Sequence, residues 1–294
     1  MQKILVILGP TTSGKSDLAV SLAKKYNGEI ISADSRQVYR GLNIGAGKIT
    51  KKEMRGVPHH LLDVANPQRR FTVARFKSLG EKAIDSILEK NKLPIVCGGT
   101  GFYISALVDG IVFPDVLPDS ILRKKLAKET TTTLFKTLQK LDPVRAQHID
   151  SLNKVRLIRA IEIASALGSV PKVTSKSHYI PLFIGIRPND TELKGRIEKR
   201  LLKRIKTGMA AEAKKLHERG LTWKRMEELG LEYRYLARFL QKKITKEEMI
   251  THLKNEIWHF AKRQMTWFKR DKRIAWYTTR DLNKIEKNIK TFLK

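Results

Sequence analysis

Apolar residues in this chain fall into short unbroken runs bounded by glycines, alternating with stretches where they recur every three or four positions. Ile4 to Leu8 is a continuous β-branched and leucine run, the pattern of a strand buried on both faces of a parallel sheet. Gly9 to Gly14 interrupts it. Leu18, Ala19, Leu22 and Ala23 then predict a helix between Lys15 and Tyr26. Glu29 to Ala33 reads as a second strand ending at Asp34, and Leu93 to Cys97 as a third, followed by Gly98-Gly99-Thr100-Gly101. Between them, Val73, Phe76, Leu79, Ala83, Ile84, Ile87 and Leu88 predict a helix from Phe71 to Glu89. After Gly110 the texture changes. Pro114 and Pro118 mark a break, and Ser120 to Leu167 is helical and charged, with Thr130 to Thr133 read as a loop. Tyr179 to Ile186 is a further strand. Thr191 to Arg219 and Lys246 to Arg270 predict two long basic helices, Arg273 to Tyr277 a last strand and Leu282 to Leu293 a closing helix.

Strand, glycine turn, helix and strand in this order specify an α/β domain whose ligands sit at the carboxyl ends of the strands. The break after Gly110 predicts a helical insertion domain at 115–178, inside a catalytic domain made of 1–114 and 179–294. A length of 294 residues accommodates one or two domains, and 41% hydrophobic residues suffice for a sizeable core. A single cysteine, Cys97, excludes a disulfide framework and a cysteine-based zinc site. No run of about 18 apolar residues is present, so no membrane span is expected, and the expected location is cytoplasmic.

Charge adds a partner. The net charge is +30, and it is uneven: residues 1–150 carry 24 basic and 14 acidic side chains, the remainder 35 and 15. Such an excess points to a polyanion: nucleic acid, an anionic membrane or a phosphorylated substrate.

Gly9-Pro10-Thr11-Thr12-Ser13-Gly14-Lys15-Ser16 fits the phosphate-loop pattern G-x-x-x-x-G-K-[ST]. The glycines let backbone N–H groups converge on phosphate oxygens, and the following helix adds its N-terminal partial charge. Lys15 supplies a mobile cation and Ser16 a hydroxyl for Mg²⁺. With a strand before and a helix after, the fold class becomes α/β with a P-loop NTPase-like parallel sheet flanked by helices. Asp34, at the end of the second strand, emerges at the same sheet edge; it is a metal ligand, an orienting acceptor, a general base or a helix cap. Lys48 in Gly45-Ala46-Gly47-Lys48 is a second candidate phosphate cation. Adjacent His59 and His60 point to opposite faces of a strand and read as structural hydrogen-bonding groups. Cys97 reads as an inert core thiol.

Taken together, these segments resemble the tRNA dimethylallyltransferases, also called tRNA isopentenyltransferases. The resemblance runs nearly the whole chain. It is carried by the phosphate loop, Ala33-Asp34-Ser35-Arg36-Gln37-Val38-Tyr39, Val57-Pro58-His59-His60-Leu61-Leu62-Asp63, Gly98-Gly99-Thr100-Gly101-Phe102-Tyr103, an R-x-x-R-A-x-E pattern from Arg156 to Glu162, and Ala261-Lys262-Arg263-Gln264-Met265-Thr266-Trp267-Phe268. It implies transfer of a dimethylallyl group from dimethylallyl diphosphate to the exocyclic amine of the adenosine on the 3′ side of the tRNA anticodon. Gly9 to Ser16, with Lys48, Arg196 and Arg200, would hold the diphosphate in place of ATP. Asp34 would be the general base. Thr11, Lys15 and Ser16, with Mg²⁺, would neutralise the leaving diphosphate. Asp34, Ser35, Arg36, Gln37, Thr100, Arg123, Val155, Arg156, Leu157, Ile158, Arg159, Lys262, Arg263, Gln264 and Trp267 would line the tRNA path. The expected form is a compact bacterial-type monomer.

The chain departs from the family pattern at three places. The usual G-T-A-K-P reads Gly45-Ala46-Gly47-Lys48-Ile49, the common G-Y-[KR] reads Glu232-Tyr233-Arg234, and a frequent methionine is Arg204. Two other classes compete: a P-loop small-molecule kinase, and an RNA-binding module without chemistry. A kinase has little use for the basic second half, and a binding module has none for a base at Asp34. An adenylate isopentenyltransferase is the near alternative; the helical insertion and basic tail favour tRNA.

Overall fold

The computed structural model describes all 294 residues. They divide into two compact units, one made of residues 1–110 and 177–294, the other of 111–176. The second unit closes ahead of Pro114, because Val112 donates to the Thr174 carbonyl and Ile111 bridges Ser175.

The first unit opens with β1 (Gln2–Leu8), α1 (Lys15–Lys25) and β2 (Gly28–Ala33). It continues through α2 (Lys51–Met54), β3 (His59–His60), α3 (Val73–Glu89), β4 (Leu93–Gly98) and α4 (Gly101–Val108). The second unit holds α5 (Ser120–Leu126), α6 (Thr131–Leu141), α7 (Pro143–Gln147) and α8 (Lys154–Leu167). The chain then returns to the first unit with β5 (Tyr179–Ile186), α9 (Asp190–Lys206), α10 (Met209–Glu218), α11 (Trp223–Leu229), α12 (Leu231–Leu240), α13 (Lys246–Phe268), β6 (Ala275–Tyr277) and α14 (Leu282–Leu293).

All six strands are parallel, in the order β3-β2-β4-β1-β5-β6. β1 is central, with Leu5 opposite Ile95 on one side and Leu182 on the other. Its side chains alternate between two cores. Ile4, Val6 and Leu8 join Phe76, Leu107, Ile197 and Leu253 on one face, while Leu5 and Ile7 join Ala19, Leu22, Ile285 and Ile289 on the other. Burial on both faces is why the strand reads as an unbroken apolar run. All carboxyl ends point to one edge, so the turns after β1, β2 and β4 gather there.

Two expectations are corrected. The stretch Thr191 to Arg219 is not one helix: it breaks at Gly208 (φ 96°), a left-handed turn that ends α9 and starts α10. Thr130 to Thr133 is not a loop. Thr130 caps α6 by accepting from the Thr133 N–H, and the next three threonines form its first turn. The second unit has its own core of Leu126, Leu134, Leu138, Leu157, Ala160 and Ile161.

The amino end of β2 carries a buried carboxylate. Burial alone would raise the Glu29 pKa, but hydrogen bonds from Lys92 (2.8 Å), His60 (2.7 Å) and Lys90 (3.3 Å) outweigh it and hold the group at about 2. Between the ordinary value of 4.5 and about 2 the unfolded chain therefore binds more protons than the folded one. Stability contributed by Glu29 is full above this window and is lost as pH falls through it. Denaturant midpoints followed into acid should show Glu29→Gln flattening that decline relative to the parent, with a lower midpoint at neutral pH.

Candidate active site

The turn between β1 and α1 is a phosphate loop in geometry as well as in sequence. Gly14 takes the left-handed N-cap position of α1, and Lys15 is the first helical residue. Lys15 Nζ rests on the Pro10 carbonyl at 3.1 Å. Burial pushes the Lys15 ammonium below its usual range, with Cys97 and Asp34 opposing that shift. The loop borders a cleft lined on its polar side by Thr11, Lys15, Ser16, Asp34, Gln37 and Arg200.

A second cavity shares Lys15, Ser16, Gln37, Gly47 and Arg200 with the first and extends past Thr12, Ser13 and Gly14. Its far wall is α9, which presents Arg196, Lys199, Arg200 and Lys203. These four positions follow the i, i+3, i+4, i+7 spacing of one helix face. Arg196 donates to the Ser13 carbonyl (3.1 Å) and Arg200 to the Gly47 carbonyl (3.0 Å). Lys199 and Lys203 were not foreseen from sequence, although their spacing with Arg196 and Arg200 carries the signal.

Asp34 emerges from the carboxyl end of β2. Its Oδ1 accepts from the N–H groups of Arg36 (2.8 Å) and Gln37 (3.2 Å), which fixes the following turn. The side chain also lines the cleft, so capping and exposure to a ligand coexist in one carboxylate. The Ser35 N–H donates to Thr100 Oγ1 (3.1 Å), and the Thr100 N–H to the Ala33 carbonyl (3.1 Å), tying the turn after β2 to the turn after β4. His59 lines the cleft, with Nδ1 2.9 Å from the Val57 carbonyl. Burial pushes the His59 imidazole below its usual range, so it faces the site as a neutral ring held by its own backbone.

Gln264 lines the cleft and has a structural task as well. It is buried, and it braces two turns: Oε1 accepts from the Thr11 N–H and Nε2 donates to the Gly99 carbonyl, both at 2.8 Å. Gly99 has no side chain because a Cβ there would lie 2.2 Å from Gln264 Nε2; at Gly101 a Cβ would lie 2.1 Å from the Trp267 ring. On the outer side of α13, Lys262 and Arg263 are exposed, and Trp267 is 36% exposed, edge-on to Phe102 at 6.1 Å. Phe268 is core.

Lys48 is also corrected. Its side chain is almost fully enclosed and donates to the Tyr39 carbonyl (2.8 Å), Asn43 Oδ1 (3.1 Å) and Asp63 Oδ1 (2.5 Å), so it pins the polypeptide behind the cleft and does not face it. In the second unit, Leu157 is 0% exposed and belongs to the core, because one position in three or four on α8 must face inward. Arg123 forks onto Glu162 at 2.8 and 2.7 Å, and Arg159 meets the same carboxylate and the Val116 carbonyl. Those two guanidiniums are largely engaged by a buried acid, with about a third of each side chain exposed. Val155 and Arg156 are exposed and Ile158 is half-buried.

No helix of the chain is long and apolar enough to cross a membrane. Among known proteins, the IPP transferase family profile matches residues 37–271. A tRNA dimethylallyltransferase of Carboxydothermus hydrogenoformans is 40% identical over 99% of this chain and 97% of its own. The crystal structure of the tRNA isopentenylpyrophosphate transferase of Bacillus halodurans superposes with a TM-score of 0.77 at 36% identity, covering 100% and 97% of the two chains. A eukaryotic dimethylallyltransferase acting on tRNA gives 0.82 at 26% identity, over 98% of this chain and 78% of that one. With the phosphate loop, the cationic α9 face and the carboxylate after β2 in place, this agreement over the full length shows that the chain belongs to the IPP transferase family.

Proposed function

We propose that the chain transfers a dimethylallyl group from dimethylallyl diphosphate to the exocyclic amine of the adenosine on the 3′ side of a tRNA anticodon. One observation carries the reading: Asp34, Lys15, Thr11 and Arg200 line a single cleft. A carboxylate beside a polar, cationic anion cradle is the pair that an amine alkylation with a diphosphate leaving group requires. In the step, the amine nitrogen bonds to the allylic carbon and the carbon–oxygen bond to diphosphate breaks. The leaving group keeps the bonding electrons, and the amine proton passes to Asp34. Electrostatic stabilisation of the departing diphosphate by Lys15, Arg200, Arg196 and the loop N–H groups lowers the barrier, and holding both reactants in one cleft supplies the rest.

The donor set fits Mg²⁺ bound mainly by the diphosphate and water. No group of three or more His, Cys, Asp or Glu side chains forms a metal cage, whereas the Ser16 hydroxyl and Asp34 both border the cleft. When bound, the ion would add charge stabilisation at the diphosphate.

On the first unit the tRNA would meet Lys262, Arg263 and Trp267 on α13 and the turn from Ser35 to Gln37; on the second, considered by itself, Val155 and Arg156 are the exposed candidates. Exposed cations beside an aromatic face suit an RNA strand with unstacked bases. Because backbone neutralisation dominates such binding, tRNA affinity should fall steeply and log-linearly with salt. Filter binding across a salt series checks this; a flat profile would remove the phosphate backbone from the account.

Incubation with unmodified tRNA and either dimethylallyl diphosphate or ATP, followed by nucleoside mass spectrometry, tests the whole reading. A prenylated adenosine in the diphosphate arm alone is expected. ATP turnover without prenylation would overturn it in favour of a kinase.

A further inference from the structure

The loop from Asn43 to Lys48 walls the cleft through Ala46 and Gly47. It is gripped from behind by side chains that do not line the cleft. Glu212, in the first turn of α10, accepts from the N–H groups of Asn43 (3.0 Å), Ile44 (2.7 Å) and Gly45 (2.8 Å), and from the Tyr233 hydroxyl (2.8 Å). Burial first, and the Glu212 carboxylate second, push that hydroxyl well above its usual range, so it stays a donor. Arg204, near the end of α9, takes the carbonyl side. It donates to Ile44 at 2.6 Å, to Gly45, and to Glu232 at 3.0 Å. A Cβ at Gly45 would lie 2.5 Å from the Tyr233 hydroxyl, so only glycine lets the loop seat here.

Two of the departures from the family pattern, Arg204 and Glu232, thus pair with each other, and Arg204 grips Ile44 and Gly45 at the start of the loop that carries the third. Arg204 and Glu232 are 14% and 13% exposed. A pair so enclosed is costly to desolvate, and removing one partner strands the other charge. The constraint is passed inward, since the Gly47 carbonyl accepts from Gln37 Nε2 (3.4 Å) and Arg200 (3.0 Å). Arg200 lies one helical turn before Arg204 on the same helix.

We infer that Arg204 and Glu232 form a paired positioning device for the diphosphate site. Arg204 fixes the Ile44 and Gly45 carbonyls so that Gly47 holds Arg200 and Gln37 in place, and Glu232 balances the charge that Arg204 brings beside Arg200. The inference rests on the diphosphate reading of the cleft and names residues that act on it indirectly.

The test uses the full chain with Arg204→Met, Glu232→Gly and both together. Binding of inorganic diphosphate with Mg²⁺ is measured by calorimetry, and prenylation with each substrate varied in turn. Each single variant should raise the diphosphate Kd and the KM for dimethylallyl diphosphate about tenfold, leaving the KM for tRNA unchanged. The double variant should lose much less than the product of the singles, because no unpaired buried charge remains. If Arg204→Met fails to fold, Arg204→Lys carries the test: one ammonium cannot span two carbonyls and a carboxylate, so diphosphate binding should weaken while the thermal midpoint is largely kept. Variants with lowered midpoints but parental Kd and KM make the pair merely structural, and effects that multiply independently dissolve the pairing. A parent that binds no diphosphate overturns the functional reading itself, which sets that failure apart.

Discussion

Asp34→Asn should lower kcat by about 10²–10⁴-fold, with the Kd for tRNA unchanged. Asparagine keeps Oδ1, so the bonds to the Arg36 and Gln37 N–H groups persist and the turn after β2 stays in place. What is lost is a group able to take the amine proton. Asp34→Ala removes the acceptor as well, and should add about 0.5–2 kcal/mol of destabilisation of the kind seen when a cap is deleted. Comparing the two separates base from cap. Single-turnover prenylation gives the chemical step and equilibrium tRNA binding gives affinity. A fall in tRNA affinity matching the fall in rate would make Asp34 a binding residue, and full activity of the asparagine variant would exclude a base at this position.

Lys15→Met should cost about 10²–10³-fold in kcat, the scale on which a single preorganised donor to a developing anion contributes. Stability should move the other way. Burial disfavours the ammonium, which pushes its pKa down, and an unbranched apolar chain in the same space relieves that cost. Thermal unfolding without ligand should therefore give a midpoint at or above that of the parent. Added diphosphate should raise the parent's midpoint and leave the variant's nearly unmoved. A variant stabilised by diphosphate as strongly as the parent would place the ligand elsewhere.

Parallel strands buried on both faces announce themselves as uninterrupted apolar runs, which is why Ile4 to Leu8 and the Phe183 to Ile186 half of β5 can be read from the amino acids alone. β3 is two residues long and holds its place by pairing His59 and His60 with Ile30 and Ile31, a tertiary fact with no local pattern. α11 and α12 meet at Gly230 and Leu231, both at positive φ, where ordinary helical periodicity is broken. The phosphate loop and Asp34 are legible because local sequence sets both. Gln264 is not: its neighbours Lys262 and Arg263 face outward, and its inward role depends on turns more than 160 residues away. Lys48 is misread for a related reason. A lysine beside glycines near a phosphate loop looks like a ligand cation until Asp63 and Asn43 are seen to enclose it.

β2 has a different task at each of its ends. Glu29, with Lys90, Lys92 and His60 as partners, is the strand's second residue, and Asp34 follows its last. Five residues of extended chain separate them by about 16 Å, so the two carboxylates share no hydrogen-bond partner. Acid tolerance and turnover are therefore separately adjustable properties of one strand. A protein engineer could retune the Glu29 cluster for a more acidic working range without touching Asp34.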